Sequence, residues 1–556
     1  MKIFYREFGG LHKAAMVLAI SSITSALLGL FRDRLLAGTF GAGKTLDIYY
    51  SAFKIPDLLY IFSLSIVSVT VLIPFLLERI SSNESYKDAH NFLNNIFSIF
   101  FTVMTILIVI IFFMVPWLSD FMVPGFSAEE KSQMVLLTRV LLLSPLFLGL
   151  SNLLSSVIQS FRRFFIYALS PIFYNIGIIF GILFFLPKWG IKGVAVGVVL
   201  GAVMHMGIQI PSIIRLGFIP LFKIKMNFKE AWQVAKLSFP RSMGISLSQF
   251  VFIFITAIAS FLSAGSIAVF NLSFNLQSVP LTVIGMSYSV AAFPTLARLF
   301  VNNQKKEFIE QTISAMRQII FWSIPVSFMI IVLRAQIIRV IFGHGRFDWN
   351  DTKLAAGALA LFSVSITAQS LILLFSRAFY AAGRTVKPIV VNAFFSVFIA
   401  AGIFIFFKVF STSHFVKNFF EIILRMKETS GVEVMALPFF FSLGSVLNAF
   451  FLCLSFGREF GSVWSHVKKN FSQVFFASLL MAVISYFSLS VMNKIFDVKT
   501  TFGIFLQGFS AAVFGMVVWF IVLNSVKNKE LGDIIDSLKQ KFWKTPVVAS
   551  EPENIS

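Results

Sequence analysis

Apolar runs long enough to cross a bilayer recur from one end of this 556-residue chain to the other. The hydrocarbon core of a membrane is about 30 Å thick, so an α-helix needs about 20 mostly apolar residues to span it. Hydrophobic residues make up 57% of the sequence and charged residues 13%, about half the charged share of a soluble protein. The sequence therefore predicts an all-α polytopic membrane protein.

Hydropathy divides the chain into about fourteen predicted transmembrane helices. Their approximate limits are 14–37, 47–77, 92–118, 134–160, 165–187, 191–215, 233–262, 267–299, 314–342, 354–382, 386–409, 432–456, 470–493 and 500–526. Lys and Arg concentrate in alternate loops, starting with the N-terminal segment, and the positive-inside rule then places both termini in the cytoplasm. The net charge of +21 is therefore read as a topology signal directed at anionic lipid headgroups, not at nucleic acid.

The C-terminal tail carries apolar residues at helical spacing beside several lysines. Leu531, Ile534, Ile535, Leu538 and Phe542 form this stripe. The pattern predicts a helix lying on the inner leaflet, and a disordered basic tail is the alternative. Residues 546–556 are predicted to be disordered.

Catalytic motifs are missing from the sequence. The single cysteine, Cys453, has no partner for a disulfide or a metal cluster. The six histidines are scattered, and no nucleotide-binding or hydrolase signature is found. His205, inside a predicted helix, is interpreted as a packed or hydrogen-bonded residue, with a proton relay as the alternative. We expect no enzyme activity and no cofactor.

Charged residues cluster in residues 27–59, between two long apolar runs. These residues are Arg32, Asp33, Arg34, Lys44, Asp47, Lys54 and Asp57. A charge at bilayer depth costs at least ~2.5–3.5 kcal/mol, so this many near two adjacent helices predict a water-filled cavity between them. The alternative is that Arg32–Arg34 and Lys44–Asp47 are interfacial anchors whose side chains reach the headgroups.

Two parts of the sequence repeat in the second half of the chain. A Pro-Ile-x-x-Asn motif begins at Pro171 and again at Pro388, and an Ala-Gly pair precedes a Pro-containing helix at Gly43 and again at Gly265. The repeat covers six predicted helices, an even number, so both copies enter the membrane in the same direction. Parallel repeats predict two lobes around a central cavity, which is a transporter architecture.

Several blocks resemble a known family. The first hairpin reads LGLFRDRLLAGTFGAGKTLDIYYSAFKIPDLL, and later blocks read IQSFRRFFIYALSPIFYNIGII, SFLSAGSIAVFNLSFNLQSVPLTVIG and VIFGHGRFDWNDTKLAAGALALFS. They resemble the MurJ (MviN) family, the bacterial lipid II flippases of the MOP exporter superfamily. The likeness runs in order through the first twelve predicted helices.

The resemblance implies a fold and a substrate. It implies fourteen helices arranged as a first lobe (residues 1–230), a second lobe (231–456), a helix pair that forms a groove for the polyprenyl tail (457–526) and a cytoplasmic basic tail (527–556). It also implies lipid II as the substrate, moved between the leaflets of the bacterial cytoplasmic membrane for peptidoglycan synthesis. Cell-wall synthesis enzymes are possible partners on this interpretation.

Site residues are carried over by position. Arg32 and Asp33 match an Arg-Asp pair of the family's first helix, Asp47 matches the acid that opens the second helix, and Lys54 with Pro56 match its AFKxP motif. Arg34 is a further candidate for the anion, and Arg139 and Arg377 could contribute, although Arg377 suits a cytoplasmic-end anchor better.

Three basic residues of the family pattern are absent. Ala26, Tyr60 and Asn275 stand where the family has arginines. Neither Tyr nor Asn replaces the charge or the bidentate geometry of a guanidinium on phosphate. Either Arg32, Lys54 and Arg34 bind the pyrophosphate in a rearranged cavity, or the substrate is a different one.

Movement of the two lobes is expected to carry the substrate. Gly29, Pro56, Pro280 and Gly285 are candidate hinges, with simple packing kinks as the alternative. Two other functions stay open at this point. One is export of another polyprenyl-linked saccharide or an amphiphile, and the other is a transport-inactive scaffold for cell-wall enzymes.

Overall fold

The computed structural model of this chain describes residues 11–81, 86–161, 163–410, 414–426 and 429–542, and these are helical, with no strand among them. In chain order the α-helices are α1 (Leu11–Phe40), α2 (Lys44–Ala52), α3 (Lys54–Val67), α4 (Val69–Ser81), α5 (Lys87–Met122), α6 (Ala128–Leu141), α7 (Leu143–Ser160), α8 (Phe164–Phe180), α9 (Leu186–Trp189), α10 (Ile191–Gly207), α11 (Ile210–Leu216), α12 (Phe228–Ala259), α13 (Ser266–Pro280), α14 (Ser287–Val301), α15 (Lys305–Phe342), α16 (Trp349–Ser363), α17 (Ile366–Ala381), α18 (Val386–Phe410), α19 (His414–Ile423), α20 (Ala436–Phe460), α21 (Trp464–Met492), α22 (Thr501–Ser525) and α23 (Lys529–Phe542).

Ten helical segments among the described residues are long and apolar enough to cross a membrane, or eleven if the bent pair α16–α17 is one span. That pair turns by 42° at its break. The chain is therefore a multi-pass, all-helical membrane protein, as predicted. The number fourteen and the arrangement in two lobes stay predictions.

The chain forms two compact units, and neither is continuous in sequence. Unit 1 comprises Met1–Val279, Ile338–Phe362 and Ile389–Gly444. Unit 2 comprises Pro280–Ile337, Ser363–Pro388 and Ser445–Ser556.

The proposed hinges lie at different kinds of places. Gly29 is inside the continuous helix α1, whereas Pro56 is in the first turn of α3, just after the break at Phe53. Pro280 ends α13 and is followed by a π-helical segment, Leu281–Met286, which contains Gly285. Irregular segments of this kind accompany proline in helices and are common at functional sites. Whether any of the four positions moves stays a prediction.

Within unit 1, α8 continues into a π-helical segment, Gly181–Phe185, and the two approach α10 through glycines. A Cβ atom on Gly181 would lie 2.5 Å from the Cα of Gly197, and the same holds in reverse, while Gly177 packs against Gly201 in the same way. Small residues four apart allow two membrane helices to pack backbone to backbone, which gains van der Waals contact where the hydrophobic effect gives none. This contact fixes α8, which contributes Asn175 to the candidate site described below.

Within unit 2, the C-terminal helix α23 is attached to α21 by buried polar groups. The carboxylate of Glu530 accepts a hydrogen bond of 2.5 Å from the side-chain amide of Asn470 and lies 3.8 Å from the guanidinium of Arg317. Asn528 donates to Gln473 at 3.0 Å. The helix predicted from the apolar stripe is thus confirmed, and its position on the inner leaflet stays a prediction. Residues 546–556, predicted to be disordered, lie outside the described ranges.

Replacement of Gly197 by Val should destabilise the protein, because the new side chain has no room against Gly181. Overpacking of this kind costs about 1–3 kcal/mol, so we expect the thermal midpoint in detergent to fall by several degrees. Gly207→Val on the same helix is the control, since a Cβ at Gly207 meets nothing within 4 Å. Equal midpoints for the two variants would contradict the glycine contact.

Candidate functional site

Arg32 and Asp33 form an ion pair inside unit 1. The Nη2 and Nε atoms of Arg32 lie 2.8 and 2.9 Å from Oδ1 of Asp33. Asp33 is 1% exposed, whereas the Arg32 side chain keeps 22% of its surface accessible. The pair therefore has one fully enclosed member and one that can still reach a ligand.

Two asparagine side chains flank this ion pair. Asn175 of α8 accepts a hydrogen bond of 3.3 Å from Nη1 of Arg32, and its own amide nitrogen donates to the hydroxyl of Ser25 at 3.2 Å. Asn275 of α13 donates to Oδ2 of Asp33 at 3.0 Å. Both charges thus have neutral polar partners as well as each other, which is what a charge in a low-dielectric region requires.

Lys54 lies near a second asparagine of α13. Its Nζ atom is 3.4 Å from the Oδ1 atom of Asn271 and 5.7 Å from the centre of the Phe252 ring. Lys54 is only 7% exposed. Since Asn271 and Asn275 are four residues apart, they lie on the same face of α13, which contributes one amide to Lys54 and one to Asp33.

Asp47 caps the N-terminus of α13. Its Oδ2 atom accepts a hydrogen bond of 2.7 Å from the backbone N–H of Gly265, and its Oδ1 atom accepts one of 2.8 Å from Ala268. Gly265, with φ +90°, packs directly on the carbonyl of Ala42. Free N–H groups at a helix start are a good place for a carboxylate. Asp47 therefore contributes to the site by holding α13 in place.

Arg34 contacts a helix end. Its Nη1 atom donates to the carbonyl of Ile341 at 3.0 Å and to that of Val340, near the end of α15. Cations stabilise the C-terminal carbonyls of helices. The structure thus gives Arg34 partners of its own, apart from the Arg32 pair.

The loop after α15 contacts the turn between α1 and α2. Arg346 donates its backbone N–H to the carbonyl of Gly38 at 2.8 Å, and Asp351 accepts a hydrogen bond of 2.9 Å from the backbone N–H of Ala42. The FGHGRFDWND block therefore holds the turn that leads from Arg32 to Lys54.

Tyr60 does not contact the Arg32 pair by any hydrogen bond found in the described residues. Its hydroxyl accepts a hydrogen bond of 3.2 Å from Asn152. It lines a cavity of about 40 Å³ together with Pro56, Asp57 and Tyr174. Since a water molecule needs about 10–15 Å³ of such space, this cavity has room for a few water molecules.

Ala26 lies in a larger, hydroxyl-rich cavity. The cavity measures about 320 Å³ and lies between α1 and α8. Its polar lining residues are Ser21, Ser22, Ser25 and Tyr167. It begins next to Ser25, the residue that binds Asn175, and so lies close to the Arg32 pair.

The remaining candidates have other partners. Lys44 pairs with Glu130 at 3.4 Å, and Arg139 stacks over Phe112 at 4.5 Å. Within unit 2, Arg377 donates to the backbone carbonyl of Met286 at 3.3 Å.

His205 belongs to a buried hydrogen-bond network of unit 1. Its Nδ1 atom lies 2.7 Å from the hydroxyl of Ser151, and Gln209 donates to the same hydroxyl at 2.5 Å. This agrees with the interpretation of His205 as a hydrogen-bonded helix residue. No group of three or more potential metal ligands occurs in the described part of the chain.

Three residues of the site were not singled out from the sequence. In the sequence, Asn175 stands out only as the last residue of the repeated Pro-Ile-x-x-Asn motif. Asn271 and Asp351 lie within the blocks that resemble the family, where no pattern distinguishes them. The recurrence of Asn175 at a fixed place in the repeat was the available signal, because an amide inside an apolar helix needs a hydrogen-bond partner.

Comparison with known proteins identifies the family. Residues 36–507 match the family model described as lipid II flippase MurJ. A protein of Buchnera aphidicola subsp. Acyrthosiphon pisum named probable lipid II flippase MurJ is 30% identical over 388 residues, which cover 69% of this chain and 75% of that protein. A protein of the same name from Thermotoga maritima is 27% identical over 499 residues, 84% of this chain and 96% of that protein.

Solved structures share the fold. The lipid II flippase MurJ in an inward closed conformation superposes with a TM-score of 0.72 at 23% identity, covering 93% of this chain and 99% of that one. An inward-facing MATE family multidrug resistance transporter of the MOP superfamily gives 0.62 at 15% identity, covering 82% of this chain and 99% of that one. Because the family model covers most of the sequence, this chain belongs to the lipid II flippase MurJ family.

Proposed function

We propose that this protein is a lipid II flippase, which moves the lipid-linked peptidoglycan precursor from the inner to the outer leaflet of the bacterial cytoplasmic membrane. The observation that carries the proposal is the buried polar cluster of α1, α3, α8 and α13, in which Arg32 and Lys54 are held by side-chain partners inside a strongly apolar chain. Intramembrane charges that are kept and paired in this way mark a substrate path. Membership of the family supplies the identity of the substrate.

The proposal includes an architecture. Fourteen helices would form two parallel six-helix lobes, residues 1–230 and 231–456, with residues 457–526 as a helix pair that takes the polyprenyl tail. Both termini would be cytoplasmic, and the basic side chains in the tail, residues 527–556, would face anionic lipids. The twofold occurrence of the Ala-Gly and Pro-Ile-x-x-Asn motifs supports this arrangement.

In the proposed site, Arg32 and Lys54 contact the phosphates of the headgroup. Asp33 and Asn175 hold Arg32 in position, and Asn275 in turn holds Asp33. Tyr60 and Asp57 line the path beside them. Asp47 and Arg34 support the site without contacting the substrate, since Asp47 binds the start of α13 and Arg34 binds the end of α15. Alternating access would require relative movement of the lobes, with Gly29, Pro56, Pro280 and Gly285 as candidate hinge positions.

At positions 26, 60 and 275 this chain has Ala26, Tyr60 and Asn275 where the resemblance implies arginines. This difference favours one alternative function, the export of another polyprenyl-linked saccharide or amphiphile. The hydroxyl-rich cavity beside Ala26 would suit a sugar. A transport-inactive scaffold for cell-wall enzymes is a second alternative, and the burial of paired charges argues against it because such charges are costly without a function.

Arg32→Ala should abolish growth of a bacterium depleted of its own lipid II flippase, because it removes the guanidinium and leaves Asp33 buried with one partner fewer. We expect Arg32→Lys to rescue partially, since it retains the charge and loses the two-pronged geometry. Arg139→Ala, which changes an arginine outside the cluster, is the control and should support growth. Full growth with Arg32→Ala, at normal protein levels, would remove Arg32 from the site.

Cysteines placed at positions 32 and 54 should react with a water-soluble maleimide in at least one conformational state. The native Cys453 is first replaced by Ser to leave one thiol per variant. The proposed path is aqueous, whereas a position covered by acyl chains is inaccessible to the reagent. A cysteine at Phe113, which is 73% exposed on the apolar helix α5, serves as the control that should not react. Protection of both site positions in every state would contradict the cavity.

A flipping assay in reconstituted vesicles can distinguish between the candidate substrates. We expect the purified protein to flip lipid II faster than a polyprenyl-linked sugar that lacks the peptide. Faster movement of the peptide-free lipid would favour the first alternative, and movement of neither, by protein whose helical content and oligomeric state are normal, would favour the scaffold.

A further inference from the structure

The basic side chains of the first hairpin have partners already. Arg32 pairs with Asp33, Lys44 pairs with Glu130, and the guanidinium of Arg34 bonds to helix-end carbonyls. Lys54 contacts the amide of Asn271. The contacts that a phosphate would need from these groups are therefore partly taken up within the protein.

The candidate site is also balanced in charge. Its two bases, Arg32 and Lys54, are matched by two acids of the same helices, Asp33 and Asp57. Asp33 is 1% exposed and is held by Asn275 as well as by Arg32, so it stays with the cluster when a ligand arrives. The residues added by α8 and α13, Asn175, Asn271 and Asn275, are neutral amides.

A pyrophosphate dianion is poorly matched to such a site. Moving a charged group out of water is costly unless opposite charge compensates it, and a phosphate bonded to Arg32 would also lie near the carboxylate of Asp33. Phosphate groups, however, commonly bring their own counter-charge, because Mg²⁺ binds through substrate phosphates and keeps several of its waters. A pyrophosphate with one bound Mg²⁺ has no net charge and presents water molecules that amides and hydroxyls can bind.

We propose that this protein takes the pyrophosphate of its lipid substrate as a divalent-cation complex, with Asn275 and the Arg32–Asp33 pair contacting the uncharged, hydrated magnesium pyrophosphate. The cation belongs to the substrate and travels with it. This inference rests on the proposed function, and it concerns the form in which the same substrate is bound.

Equilibrium binding of lipid II in the presence and absence of Mg²⁺ tests the inference. The full-length protein is placed in nanodiscs of phosphatidylcholine, a zwitterionic lipid, so that the cation does not act through anionic headgroups. Binding is measured in millimolar MgCl₂ and in EDTA with NaCl at matched ionic strength. We expect the affinity to fall at least tenfold in EDTA.

A more positive charge in the site should remove the requirement for Mg²⁺ in lipid II binding. Asn275→Arg adds one positive charge beside Asp33, and Asp33→Asn removes one negative charge beside Arg32. Either variant should bind lipid II with less than a threefold difference between Mg²⁺ and EDTA. Gly207→Arg adds the same charge on α10, outside the site, where a Cβ meets nothing within 4 Å, so it should keep the wild-type dependence on Mg²⁺.

The wild-type measurement is decisive even if the variants fold poorly. Equal affinity in Mg²⁺ and EDTA would overturn the inference and leave the proposed function intact. Binding in neither condition would overturn the proposed substrate itself. Binding of a polyprenyl monophosphate sugar gives a third readout. Its affinity should depend less on Mg²⁺, because this lipid has a single phosphate. Equal dependence of the two affinities on Mg²⁺ would also overturn the inference.

Discussion

The first part of this structure depends on one buried carboxylate. Asp47 is 2% exposed, and both of its oxygens accept backbone N–H groups at the start of α13. A buried carboxylate that lost these partners would be strongly destabilising, so the turn between α1 and α2 must stay where α13 begins. Asp351 repeats the arrangement with the N–H of Ala42. Two acidic side chains thus fix the backbone around the charged hairpin, which carries Arg32 before the turn and Lys54 after it.

The site that results differs in character from a simple basic pocket. Arg32 is paired with Asp33, and Lys54 contacts an amide. The groups added by α8 and α13 are amides, and the cavity beside Ser25 has four hydroxyl-bearing residues in its lining. An arginine cluster would bind phosphate through charge, whereas amides and hydroxyls bind through hydrogen bonds that tolerate a hydrated or sugar-bearing ligand. Of the three positions at which the resemblance implies arginines, Asn275 contacts Asp33, Ala26 lines the cavity beside Ser25, and Tyr60 bonds to Asn152.

Much of this could be predicted from sequence, for reasons that can be traced to particular residues. Long apolar runs require helices in a membrane, so the helical segments and the C-terminal helix α23 were predictable. Arg32, Asp33 and Lys54 stood out because charges are rare in such runs. The partners of these charges were not predictable, since Asn175, Asn271 and Asn275 lie on α8 and α13, far along the chain. Hydropathy carries no information about which helices touch, and the capping role of Asp47 depends on a helix that begins more than 200 residues later.

The spacing of two asparagines on α13 links the two halves of the candidate site. Asn271 and Asn275 are one turn apart, so they are separated by about 6 Å along the axis, and the first contacts Lys54 while the second contacts Asp33. Because an α-helix resists twisting, any rotation of α13 about its axis would turn both amides through the same angle. The lysine and the ion pair would then gain or lose their amide partners simultaneously. In the proposed site, a ligand that turned α13 to displace one amide would therefore displace the other amide as well.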